Sequence, residues 1–116
     1  MFVFALRLLV LFGCSALTTR ALDLDREIIL APQAGTAHED GDIRRWQARV
    51  SAAGAKADDF EQLGWAFVAK ARRTLDAGYY KLAEKTADAM DARFGAGAAA
   101  RLLRGHALHN LHRFAA

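Results

Sequence analysis

"LGWAFVAKARRTLDAGYYKLAEK", Leu63–Lys85, holds two amphipathic runs around one turn signal. Leu63, Phe67 and Ala71 recur every four residues, which places them on one helical face. Asp76-Ala77-Gly78 interrupts the pattern, and Tyr79, Ala83 and Ala87 resume it. Extended outward, the first run predicts a helix over 58–75 with Phe60, Leu63, Phe67, Ala71 and Leu75 as its apolar stripe. Asp58 and Asp59 open it and Lys70, Arg72 and Arg73 lie towards its other end, both matched to the helix dipole. The second run predicts a helix over 79–94 with Tyr79, Ala83, Ala87, Met90 and Phe94 in line, closed by Gly95-Ala96-Gly97.

Two more helices flank this hairpin. Ile43, Trp46 and Val50 share a face in "DIRRWQARVSAAG", with Asp42 as the expected N-cap and Gly54 as the stop. The last helix begins near Ala98 and carries Leu103, Ala107, Leu111 and Phe114. Between the leader and the first helix, 22–41 contains Pro32, Gly35 and Gly41 and reads as an extended linker. Within it, Ile28-Ile29-Leu30 is either a short strand or a contact segment. The expected fold class is all-α, built from antiparallel helix–turn–helix units. Composition agrees: 53% of the 116 residues are hydrophobic, alanine is abundant, and there is one proline.

The N-terminus has a separate character. Leu8–Leu17 is an apolar run of ten, too short to span a bilayer and suited to a signal-peptide core, so 1–21 is expected to be a signal peptide or N-terminal anchor. "TRA", ending at Ala21, has the small-x-small form of a cleavage site. "LFGC" resembles a bacterial lipoprotein box that would lipidate Cys14, although Phe12 departs from it. Membrane attachment is expected only through this leader or that lipid. Cys14 is the only cysteine, which excludes an intramolecular disulfide. Arg7 and Arg20 account for much of the +3 charge; without 1–21 the chain has 14 basic and 13 acidic residues. Such a balance gives no reason to expect a nucleic-acid partner.

"LGWAF" (Leu63–Phe67) followed by "YKLA" (Tyr80–Ala83) resembles the tetratricopeptide repeat, a helix–turn–helix unit of about 34 residues. Phe60 stands where that family often has tryptophan, and Leu63, Gly64, Phe67, Tyr80 and Ala83 match its structural positions. "RGHALHNLHRFAA" supplies a second register, with Gly105, Leu108 and Phe114 in the corresponding roles. Gly64 and Ala83 lie about seven residues further apart than in that family, so the first unit is expected to carry about seven extra residues around its first turn, and the separation of Gly64 from Gly105 exceeds one unit by the same amount. Arg101 and Arg104 depart from the family pattern. The resemblance divides the chain into a degenerate helix at 42–57, one repeat at 58–97 and an incomplete repeat at 98–116. The alanine expected three residues after Phe114 would be residue 117, so the chain is expected to be a fragment, a truncated product or one partner in a larger assembly.

The resemblance implies an exported bacterial protein–protein interaction scaffold in the cell envelope, without catalysis or cofactor. It further implies that the inner side of each first helix lines a groove that grips a protein or peptide partner. By register those positions are Asp58, Glu61, Trp65, Val68 and Ala69, then Ala99, Leu102, His106, His109 and Asn110. Packing between repeats is the alternative role for Trp65. The two glycines are expected to let a paired helix approach closely.

Two further constellations stand beside this reading. His106, His109 and His112 at steps of three suggest the rival, a small exported metal- or haem-binding protein. Arg101, Arg104 and Arg113, with no acid after Asp91, make the C-terminal segment locally basic and suited to an acidic peptide or terminal carboxylate. The alternative is that acids in the missing half of the incomplete repeat pair with these arginines. No serine–histidine–acid set or glycine-rich phosphate loop is present, and adjacent acids such as Asp58 and Asp59 suit helix caps better than acid–base chemistry.

Overall fold

The computed structural model describes residue 20 and residues 23–115, with side chains to residue 113. Cys14 and the leader run lie outside the described residues, as does the side chain of Phe114. Regular structure among the described residues is helical: α1 (His38–Ser51), α2 (Ala57–Thr74), α3 (Ala77–Phe94) and α4 (Ala98–Ala115), preceded by a helical stretch at 23–29. None of these helices is long and apolar enough to cross a membrane. α1 packs on α2, α3 packs on both α2 and α4, and α4 also touches α2.

Helix ends follow local chemistry. The Asp59 carboxylate accepts the Lys56 N–H at 2.9 Å and so closes the start of α2. Leu75 ends α2 in the left-handed region (φ 56°) and is 74% exposed, so it leaves the apolar stripe predicted for it. Asp76 then caps α3 by accepting the Gly78 N–H at 2.8 Å. Gly95 (φ 84°) ends α3, a backbone conformation that suits glycine.

The connection from α2 to α3 is therefore only Leu75 and Asp76, which corrects the expectation of a lengthened turn. α2 and α4 are each 18 residues long. Their first residues, Ala57 and Ala98, are related by the same displacement as Gly64 and Gly105.

Most of the predicted faces are buried. Phe60, Leu63, Phe67, Ala71, Ala83, Ala87, Met90, Leu103 and Ala107 form one core with Ile43 and Val50. On α3 it is Tyr80 that is buried, while Tyr79 is half-buried and Phe94 is 42% exposed, its ring edge-on to Phe60 at 5.4 Å.

The two glycines differ. A Cβ at Gly64 would run into the buried Leu103 side chain of α4, so this glycine permits close contact between α2 and α4. Gly105 is exposed, and a Cβ there would meet nothing. Close approach is thus a property of Gly64 alone, because no described helix lies on the Gly105 side of α4. Leu108 is likewise 38% exposed, whereas Phe67, its register equivalent, is buried.

Residues 22–41 are not an extended linker. Ile29 ends the helical stretch at 23–29 and is fully buried. Gln47 of α1 donates to the Ile29 and Ala31 carbonyls at 3.0 and 2.9 Å, and Lys85 of α3 pairs with Asp25 at 3.1 Å. α1 starts at His38, so Asp42 lies inside it and pairs with Arg45 at 3.0 Å instead of capping it. The carboxylate at the helix start is that of Asp40, which accepts the Ala37 N–H at 3.1 Å.

Asp40 also anchors a polar cluster inside the fold. Its carboxylate pairs with the Lys70 ammonium of α2, both side chains being almost fully buried. The ammonium lies 4.5 Å from the Tyr79 ring centroid, and Arg73 pairs with Glu39 at 2.7 Å beside them. The Lys70 hydrogen bond holds the Asp40 carboxyl below its ordinary range, outweighing the opposing effect of burial. Burial alone would lower the Lys70 pKa, but hydrogen bonds to Asp40 and Tyr79 raise it instead.

Gly64→Leu is expected to destabilise the fold by about 1–3 kcal/mol through overpacking against Leu103. Gly105→Ala should instead stabilise it by up to about 1 kcal/mol, because alanine is the better helix former. Urea denaturation of the two variants checks both signs. Asp40 supplies stability that is present above its unfolded pKa and lost as pH falls through its lowered folded value. Lys70, with a raised value, keeps its contribution until pH climbs past its ordinary range. Acid unfolding of Asp40→Asn should therefore show a shallower loss below pH ~4 than wild type, and the variant should be less stable at neutral pH.

Candidate functional site

Three helices converge on one open cleft of ≈ 530 Å³ lined by Arg72, Leu75, Tyr80, His106, His109, Asn110 and Arg113. The four residues from α4 follow steps of three, one and three, which keeps them on one helical face. Arg72 comes from the last turn of α2 and Tyr80 from the first turn of α3, positions brought together by the short Leu75–Asp76 connection. The lining contains two guanidinium groups and two imidazoles, and no carboxylate.

His106 is the hub. Arg72 Nη2 lies 2.9 Å from His106 Nε2. A guanidinium has only donors, so Nε2 accepts and the imidazole proton sits on Nδ1. The Trp65 ring centroid is 5.3 Å from that of His106, and the Tyr80 ring is 6.5 Å away. Burial, followed by the Arg72 and His109 charges, pushes the His106 pKa below its ordinary value. Asn110 Nδ2 donates to the His106 carbonyl at 2.8 Å, which ties its amide to the helix.

The positions expected to grip a partner separate into groups. His106, His109 and Asn110 line the cleft, and Trp65 packs half-buried against His106. Glu61 is partly exposed on α2 and does not line it. Val68 is 1% exposed and belongs to the core, so it offers no contact surface. Leu102 is 65% exposed and also lies outside the cleft lining.

The three histidines do not act as one set. Six residues of helix turn through roughly 600°, so His112 ends about 120° away from His106, and it is absent from the cleft lining. The Nε2 of His106 is engaged by Arg72, and among the described residues no group of three His, Cys, Asp or Glu is positioned to hold a metal ion.

The basic segment divides as well. Arg104 is held by acids of α3, reaching Asp88 at 2.9 Å and Asp91 at 2.7 Å. Arg101 is exposed and outside the cleft, leaving Arg113 as the tail arginine that lines it. Comparison with protein-family models, with curated proteins and with solved structures finds no match for this chain.

Three cleft residues, Arg72, Leu75 and Tyr80, are not among the contacts expected from the sequence. The signal for Arg72 lies in the register itself: the displacement that relates Gly64 to Gly105 also relates Arg72 to Arg113. Tyr80 gives no such signal, since the resemblance noted in the sequence already accounts for an aromatic there. Chemically, the cleft offers cationic donors around a partly apolar floor, an arrangement that suits a carboxylate or another oxyanion.

Arg104→Gln should loosen the docking of α4 on α3 by no more than about 1 kcal/mol, since its partners are partly solvated. Thermal denaturation of the variant against wild type checks this.

Proposed function

We propose that this chain is a protein–protein interaction module of the tetratricopeptide kind that grips an acidic segment of a protein partner and has no catalytic role of its own. The observation that carries this is the cleft: three helices present Arg72, His106, His109 and Arg113 to one open volume with no carboxylate among its described lining residues. Repetition supports the reading, since α2 and α4 have the same length and start at Ala57 and Ala98, in the register of Gly64 and Gly105. Equivalent arginines thereby fall on the cleft from both helices. The apolar run Leu8–Leu17 supports placing the module in a bacterial cell envelope, as an exported protein.

Partner recognition on this reading is electrostatic at the cleft. A carboxylate from the partner would take charge-assisted hydrogen bonds from Arg72 and Arg113, beside the half-buried Trp65 ring that packs on His106.

Fluorescence polarisation with a labelled glutamate-rich peptide tests the proposal. Arg72→Gln and Arg113→Gln should each weaken binding by about tenfold or more, the value of one charge-assisted hydrogen bond. Arg101→Gln should change it little, and equal losses in all three variants would reduce the effect to net charge.

A further inference from the structure

The Arg72–His106 contact has a consequence for the cleft it borders. The Arg72 guanidinium donates into the cleft wall, to the lone pair of His106 Nε2 at 2.9 Å. That hydrogen bond exists only while the imidazole is neutral, because a protonated ring has two donors and no acceptor. Nothing anionic in the lining would hold the two cations together once His106 took up a proton.

We infer that this contact is a pH-operated latch: proton uptake at His106 Nε2 breaks the bond, turns Arg72 towards the cleft, and strengthens the hold on an oxyanion. The inference rests on reading the cleft as the contact for an anionic group of the partner. One proton from solvent forms the Nε2–H bond, and no other covalent bond changes.

Charged and titratable groups face His106 from each packed element. α2 presents Arg72, and Trp65 as a neutral aromatic wall; α3 presents Tyr80; α4 itself presents His109 and Arg113, with Asn110 as a neutral neighbour. All charges in this set are positive, so they oppose protonation in the empty cleft. Burial acts in the same direction, with Arg72 and His109 adding to it. A bound oxyanion reverses the balance and raises the affinity of His106 for its proton. Linkage makes the effect reciprocal, so the protonated cleft binds the anion more tightly by the same factor. A tenfold gain in proton affinity on anion binding thus appears as a tenfold gain in anion affinity on protonation.

The test uses the full chain and sulfate, whose charge does not change between pH ~8 and ~5. Histidine ring resonances are followed by NMR for the titration, and amide shifts of Tyr80, Asn110 and Arg113 report sulfate binding. His106 should titrate below its ordinary value in wild type and move upward in Arg72→Gln. Sulfate affinity should rise about tenfold from pH ~7.5 to ~5. His106→Gln, whose amide oxygen accepts from Arg72 at every pH, should bind sulfate weakly with that rise abolished, while His109→Gln keeps it. An unchanged rise in His106→Gln, or sulfate binding with no pH dependence in wild type, overturns the latch but leaves the anion contact standing. Sulfate that fails to reach the cleft at any pH overturns both.

Discussion

The distance between α2 and α4 governs the rest of this structure, and it is set where Leu103 presses into the space left by the missing side chain of Gly64. One turn further along α4, that proximity places the His106 ring against Trp65 and within reach of Arg72. A larger residue at position 64 would meet the Leu103 side chain and require it to give way, next to the turn of α4 that carries His106. Packing in the core and chemistry in the cleft are therefore one constraint seen at two places.

Electrostatics plays two opposite parts. At the α1–α2 junction, Asp40 and Lys70 are buried together, and each compensates for the solvation the other has lost. The Gly35 Cα lies so near the Asp40 carboxylate that a side chain there would collide with it, which binds the preceding segment into the same cluster. In the cleft, by contrast, like charges are gathered with no acid among the lining residues. The first arrangement stabilises the fold. The second withholds a counter-charge, and on the reading proposed above that charge comes from a partner.

The α4 helix separates these functions by face. Leu103 and Ala107 enter the core, Arg104 reaches Asp88 and Asp91 on α3, and His106, His109, Asn110 and Arg113 turn to the cleft. Gly105 and Leu102 remain on the exposed side. Residues that are neighbours in "RLLRGHALHN" thus meet four different environments within three turns, which is why the local density of basic residues misrepresented their roles.

The sequence by itself determined the helical class, the hairpin turn at Asp76 and most of the buried faces, because a period near four and its interruption at Asp76-Ala77-Gly78 are local signals. It also held the common displacement that pairs Gly64 with Gly105 and Arg72 with Arg113. Tertiary structure alone decided that the hairpin is two long helices joined by two residues, since helix length depends on what each added turn can pack against. It decided that 23–29 is helical and that Ile29 is buried, because those residues acquire their contacts from α1 and α3. It also made Lys70 a buried ion-pair partner and not a solvated end charge, and it set the Arg72 guanidinium against His106 Nε2. Each of these outcomes depends on which neighbour lies within a few ångströms, and a one-dimensional pattern carries no record of distance.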